Sequence, residues 1–263
     1  MRKCLLHAVL ASLATAICLV APARLAAEDP VTLFVFDRPP FYHLENGRPD
    51  GGFLLILAQT VFQQAGVPYD VREMPPGRIL ATFETKDANA CAVGWLRTPA
   101  RQRFARFSNP IYVNKPLGVA ARAPLAPENA RPQPLGRLLE NHWTWGLRLG
   151  FSYGPAMDAA FAAAPAGTVT RFSDPAIMLR LLAKGRLDAM LIEPEELSWL
   201  LGQEPQLAAS VRFVPLADAK PRARYIMCDD AVSPGVMKRL DAAIDELVGP
   251  AADKIRRIGT LRH

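Results

Sequence analysis

Val31-Thr32-Leu33-Phe34-Val35-Phe36 is a run of β-branched and aromatic residues that stops at Asp37-Arg38-Pro39-Pro40. Such a run predicts a buried strand, and the two prolines predict a loop after it, because proline has no amide hydrogen to give to a ladder. Beyond the turn Glu45-Asn46-Gly47, the residues Leu54, Leu57, Ala58, Val61, Phe62 and Ala65 recur at three- and four-residue spacing, with Gly66 where a helix would stop. That spacing lines one side of an α-helix. Strand, loop and amphipathic helix in this order form one unit of an α/β protein.

The unit recurs. Residues 67–74 read as a strand, 78–83 as a helix and 90–96 as a short buried strand that ends at Arg97-Thr98-Pro99. Residues 121–134 are rich in Ala, Pro and Arg, the composition of a connector, so a crossing between two lobes is placed there. A second series follows: strands at 144–149, 168–172, 187–192 and 211–216, with helices at 155–163, 175–184 and 194–201 between them. Residues 217–222 are polar, contain Pro221 and suit a return crossing. Residues 225–228 read as a strand, and Val236, Leu240, Ile244 and Leu247 mark a helix that Ser233-Pro234 starts well. The basic residues of 254–262 read as a solvated helical end.

The ends and the charge bound the function. Met1-Arg2-Lys3 precedes an almost unbroken apolar run over residues 5–20, then Pro22 and the small residues Ala26 and Ala27. This is the layout of a secretory signal, expected to be cleaved near Ala27 and to leave the protein in the periplasm. The run is shorter than the ~20 residues of a membrane-spanning helix. Residues 1–27 hold Arg2, Lys3 and Arg24 and no acid, so cleavage would lower the formal net charge from +6 to +3. A balance that mild argues against nucleic acid as a partner. Of four cysteines, Cys4 and Cys18 fall in the leader, which leaves Cys91 and Cys228. In an oxidising compartment they would form one disulfide, or else pack as two buried thiols; only their separation in the fold decides.

Several segments resemble a known family. Pro39-Pro40-Phe41, Gly51-Gly52-Phe53 and the helix through Leu57-Ala58 come first; Gly94-Trp95-Leu96-Arg97-Thr98-Pro99-Ala100-Arg101 follows, ahead of Phe107-Ser108-Asn109-Pro110-Ile111-Tyr112. Gly150-Phe151-Ser152-Tyr153-Gly154 and Gly185-Arg186-Leu187-Asp188-Ala189, leading to Glu193, complete the set. In order and spacing these resemble the periplasmic solute-binding proteins of polar amino-acid ABC transporters, the bacterial extracellular solute-binding protein family 3. The resemblance implies an α/β, type II two-lobed periplasmic binding protein fold, each lobe a sheet flanked by helices, with the ligand cleft between lobes. It implies a first lobe of residues 28–121 and 222–263, a second lobe of 122–221, a monomer, no cofactor and no metal. It also implies a small-molecule ligand and a separate ABC permease or membrane receptor.

The same resemblance nominates the site. Arg101 matches the residue that grips a ligand carboxylate, a task suited to the planar two-pronged guanidinium. Glu193 matches the acceptor of a ligand ammonium, although as a helix N-terminal acid before Pro194 it could equally cap that helix. Ser152 and the amides of the glycine turn precede a helix and can donate to an anion there, or the glycines simply make the turn. Trp95, Tyr42 and Tyr153 are candidate walls of the pocket, or core side chains. Three positions depart from the family pattern: Glu193 stands for the usual Asp, Leu96 for a small hydroxyl residue and Arg38 for an aromatic stacking residue. An added cation and a lost hydroxyl suit a ligand with an extra acidic group.

Two other functions share the resemblance. Some relatives are periplasmic dehydratases of prephenate-like acids, for which Glu193 would be the acid or base and Arg101 and Arg38 would orient carboxylates. His43 and His142 sit in expected loops without metal-ligand spacing, and no independent catalytic signature accompanies them. The other is a sensory module that presents its bound form to a membrane receptor.

Overall fold

The computed structural model describes residues 28–127 and 130–249. The expected leader, its cleavage point near Ala27 and the basic segment 254–262 lie outside the described residues. Among them, no helix is long and apolar enough to cross a membrane.

The chain forms two five-stranded sheets, each covered by helices. The first series is strand β1 (Val31–Val35), a hairpin of β2 (His43–Glu45) and β3 (Arg48–Gly51), helix α1 (Phe53–Gln64), strand β4 (Tyr69–Glu73), helix α2 (Pro76–Thr85) and strands β5 (Ala90–Trp95) and β6 (Ala105–Asn114). The second is β7 (Gly118–Arg122), α3 (Leu135–Leu139), β8 (Trp145–Arg148), α4 (Pro155–Ala162), β9 (Val169–Phe172), α5 (Pro175–Ala183), β10 (Ala189–Ile192), α6 (Pro194–Gln203) and β11 (Val211–Pro215). Strand β12 (Arg222–Asp229) and helix α7 (Pro234–Val248) then close the chain.

The first sheet has the order β4-β1-β5-β12-β6 and the second β11-β7-β10-β8-β9. In both, parallel strands joined through helices are completed by strands that pair antiparallel. The element expected from the opening run is β1, and its residues are buried on both faces. Val31, Leu33 and Val35 pack with Leu54, Ala58 and Phe62 of α1 and Leu240 and Ile244 of α7. Phe34 faces the opposite way, onto Ile79 and Phe83 of α2. Burial on both faces is why that run has no polar alternation. The second sheet repeats the arrangement, with Val119, Leu147 and Leu191 on one face and Ala120, Met178 and Met190 on the other.

One boundary differs from the expectation. Strand β7 pairs with β10 and β11, so residues 118–122 belong to the second sheet and the chain leaves the first between Asn114 and Gly118. The crossing therefore precedes the Ala- and Pro-rich stretch at 121–134, which instead holds a surface turn and the approach to α3. Composition pointed to the wrong segment because a crossing of three residues needs no loop-like composition. On the way back, β11 ends at Pro215 and β12 starts at Arg222.

Two positions fix the first lobe around the future cleft. Cys91 and Cys228 face each other across β5 and β12 and are joined, with Sγ atoms 2.02 Å apart and both residues fully buried. Gly94, in β5, has φ +75° and sits so close to the neighbouring layer that a Cβ would lie 1.8 Å from Tyr42 Oη and 2.7 Å from Leu54 Cδ2. Gly94→Ala combines a left-handed backbone with an overpacked contact, and we expect it to lower unfolding free energy by about 2–4 kcal/mol. A urea midpoint unchanged from the parent would contradict this.

Candidate functional site

The cleft is built where strand ends of the two sheets meet. Arg38 follows β1, and its main chain is pinned by mutual bonds with Tyr42: the Arg38 amide donates to Tyr42 O, and the Tyr42 amide to Arg38 O, both at 3.1 Å. Arg224 lies in β12 of the same lobe. Opposite them, Glu193 connects β10 to α6 and Glu196 lies in the first turn of that helix. Arg38 Nη2 donates to Glu193 Oε2 at 2.9 Å and to Glu196 Oε2 at 3.4 Å. Arg224 Nη2 donates to Glu193 Oε1, and Arg148 Nη1 of β8 donates to Glu196 Oε1 at 3.1 Å. All four carboxylate oxygens thus face arginines, and all five side chains are buried.

Further contacts join the lobes around this network. Arg222 Nη1 donates to the Tyr153 carbonyl at 2.9 Å, and Tyr112 Oη of β6 donates to Glu195 Oε1 at 3.0 Å. Phe36 and Phe151 meet edge to face with centroids 6.2 Å apart. Phe151 is also flanked by two guanidinium groups, Arg38 at 5.0 Å and Arg148 at 4.8 Å from its centroid. The lobes are therefore closed on each other by side chains of the protein itself.

Burial pushes the Glu193 carboxyl up, but the Arg38 charge, then Arg224 and Arg222, outweigh it and hold the group below the usual carboxylate range. For Arg38, burial works downward, while Glu193 and Glu196 more than restore the charge. Both groups are ionised at neutral pH.

Beside the network lies a pocket lined by Phe36, Arg38, Pro76, Gly94, Trp95, Leu96, Arg101, Gly150, Phe151, Ser152 and Arg224. Arg101 begins a single 3₁₀ turn after β5. Its amide donates to Thr98 Oγ1 at 3.3 Å, which gives the Thr-x-x-Arg spacing a local physical reason: the hydroxyl caps the turn that presents the arginine. Its guanidinium lies 4.7 Å from the Trp95 ring centroid and donates to the Leu96 carbonyl at 2.9 Å. Among the described residues Arg101 has no carboxylate partner. Burial and then the Arg224 charge bring its pKa down to about 10, so it stays cationic at neutral pH.

Of the residues nominated from sequence, Arg101, Trp95, Arg38 and Ser152 line this pocket together. Ser152 Oγ is committed to Asp158 at 2.5 Å, so its hydroxyl braces the first turn of α4. Tyr153 is buried in the second lobe, where its Oη accepts from the Arg148 amide at 2.8 Å; it borders an adjoining cavity shared with Glu193 and Arg222. Tyr42 lies beneath the pocket floor, its ring in the first-lobe core and its hydroxyl donating to the Val93 carbonyl at 2.7 Å. It lines neither cavity. Glu193 occupies the cap position before α6, but its side chain makes no capping bond. Its partners are the arginines of the other lobe.

Four residues of the cluster were not singled out from sequence: Arg148, Glu196, Arg222 and Arg224. The strand expected at 225–228 begins three residues earlier, at Arg222, and this extension carries both β12 arginines to the cleft. The available signal was arginine at alternate positions, 222 and 224, directly before an apolar strand. Alternation puts both on one face of a strand.

Two helix-covered sheets enclosing an arginine-rich cleft define a two-lobed binding protein of the periplasmic type. The chain belongs to the bacterial extracellular solute-binding proteins, family 3, whose model matches residues 34–262. A search of curated protein sequences gave no match. Solved structures share the fold at low identity. An ancestral arginine-binding protein bound to arginine is 19% identical with a TM-score of 0.67, over 88% of this chain and 97% of that one. The arginine-, lysine-, histidine-binding protein ArtJ of Geobacillus stearothermophilus is 16% identical with a TM-score of 0.66, over 87% and 93%. The VFT2 domain of Bordetella pertussis BvgS is 18% identical with a TM-score of 0.64, over 89% and 93%.

Proposed function

We propose that this is a periplasmic binding protein that holds a small carboxylate in the cleft, with Arg101 as its principal anchor, for delivery to an ABC permease. The observation that supports this reading is a half-buried cation, Arg101, without a carboxylate partner among the described residues, stacked on Trp95 and lining a pocket that both lobes border. A guanidinium in such a place gains two charge-assisted bonds from a carboxylate that water would otherwise supply. A ligand touching Phe151 and Ser152 on one side and Arg101 on the other favours the closed form, because only that form offers both sets of contacts. Amino acids remain within the proposed class, as do dicarboxylates and 2-oxo acids.

The test is a thermal-shift screen of the purified protein against those three groups, followed by titration of the best ligand into Arg101→Ala. Arg101→Ala should weaken binding by roughly a hundredfold, about 3 kcal/mol, the scale of a hydrogen-bonded charge partner. Unchanged affinity would remove Arg101 from the site.

Receptor signalling is the second reading. It is supported by the similarity of the fold to the VFT2 domain of Bordetella pertussis BvgS. Scattering curves with and without ligand separate the two: carriage requires that the ligand add to closure.

A further inference from the structure

The proposed carboxylate site can be read more narrowly, because a site that takes an amino acid must offer acceptors to its ammonium group. An ammonium presents three donors and no acceptor, and burying it without a partner is strongly unfavourable. The acidic side chains nearest this pocket are engaged with arginines. Each oxygen of Glu193 and Glu196 accepts from Arg38, Arg224 or Arg148, and both acids line only the adjoining cavity, which shares Arg38, Phe151, Ser152 and Arg224 with this pocket. Two main-chain carbonyls of the pocket wall are also engaged: Leu96 O accepts from Arg101 at 2.9 Å and Gly94 O from Arg224 at 3.4 Å.

Donors, by contrast, are in excess. Arg38, Arg101 and Arg224 line the pocket and no acidic side chain does. Two further donors of lining residues, Arg38 Nε and Trp95 Nε1, are buried without a hydrogen-bond partner among the described residues. The rings of Phe36, Trp95 and Phe151 supply flat apolar walls between the cations.

We infer that the ligand is a carboxylate that carries no ammonium group and offers additional oxygen acceptors, the chemistry of a 2-oxo acid or a dicarboxylate. This rests on the carboxylate-binding reading above and narrows it. The cationic pocket also disfavours the basic amino acids bound by the proteins of similar fold.

Matched pairs test it by isothermal titration calorimetry on the purified protein: 2-oxoglutarate against glutamate, succinate against aspartate and phenylpyruvate against phenylalanine, with arginine alongside. The expected result is that in at least one pair the member without the amine binds tenfold or more tighter than its amino counterpart, and that arginine does not bind. An amino acid that binds as tightly as its counterpart, or tighter, overturns this inference and leaves the carboxylate site standing. If no compound binds at millimolar concentration, the carboxylate site itself fails. In the pair that responds, Arg38→Gln should reduce the preference for the amine-free member, because it releases oxygens of Glu193 and Glu196 to accept from an ammonium. An unaltered preference would show that those carboxylates do not set the discrimination.

Discussion

Replacing Cys91 and Cys228 together by alanine is expected to lower the unfolding free energy by roughly 4–5 kcal/mol. The bridge spans a sequence separation of 137 residues, and a loop of that length loses much chain entropy when closed in the unfolded state. In this fold the closed loop contains the whole second lobe, since Cys91 lies in β5 and Cys228 in the returning strand β12. The bond therefore keeps the return strand tied to β5 even in the unfolded chain. Both residues are fully buried, so a reductant reaches the bond only through opening of the core. Urea unfolding of the double variant, and of the parent with and without reductant, measures the effect. A loss below about 1 kcal/mol would mean that the bridge contributes no more than packing.

Glu193→Gln is expected to open the cleft rather than unfold either lobe. Glu193 belongs to the second lobe and its partners Arg38 and Arg224 to the first, so the attraction counts only while the lobes are closed. Removing one member of a buried pair costs roughly 3–5 kcal/mol when the remaining charge must stay buried. Here the arginines regain water when the lobes part, and opening is the cheaper response. A loss of about 3 kcal/mol in closure would shift the open-to-closed ratio by more than a hundredfold. Small-angle scattering should give a larger radius of gyration for the variant than for the parent, with helical circular dichroism unchanged. Equal radii would show that Phe36, Phe151, Tyr112 and Arg222 hold the closure without the acid.

The pH dependence has the same origin. Glu193 is held below the usual carboxylate range in the closed form, chiefly by Arg38 and then Arg224 and Arg222 acting against burial. An open cleft returns it toward about 4.3. The carboxylate thus favours closure above that ordinary value, and the contribution is lost as pH falls through the depressed one. Scattering between pH 7 and pH 3 should show opening toward the acid end. Glu193→Gln should flatten this response.

Much of the fold was legible because it rests on local pattern. The runs that became β5 and β10 are apolar throughout, and β1 nearly so, because both faces of their sheets are covered, and α1, α5 and α7 show helical spacing. Strand β6 was read only as a motif, since Asn109 and Pro110 interrupt its alternation; Asn109 is instead held by side chains of α7, its amide donating to Asp241 and its Nδ2 to Asp245. Strand β7 was hidden beside the Ala- and Pro-rich stretch, because which sheet a short strand joins depends on partners 68 to 97 residues away.

Arg101 and Trp95 could be proposed from sequence because a compact motif from the end of β5 onward carries them both, with Thr98 shaping the turn between them. The state of Glu193 could not. Its identity and its place before α6 are local, but whether it caps that helix, meets a ligand or pairs with arginines depends on how closely two lobes approach. The sequence by itself determined the alternation of strands and helices along most of the chain, the family and the arginine nominated for the cleft. Only the tertiary structure decided the Cys91–Cys228 bond, through the register of β5 against β12, and the use of both cleft acids, through the meeting of Arg38 and Arg224 with side chains more than 30 residues distant. Periodicity and turn chemistry act between near neighbours along the chain, whereas charges in a cleft respond to whatever the fold places within about 4 Å of them.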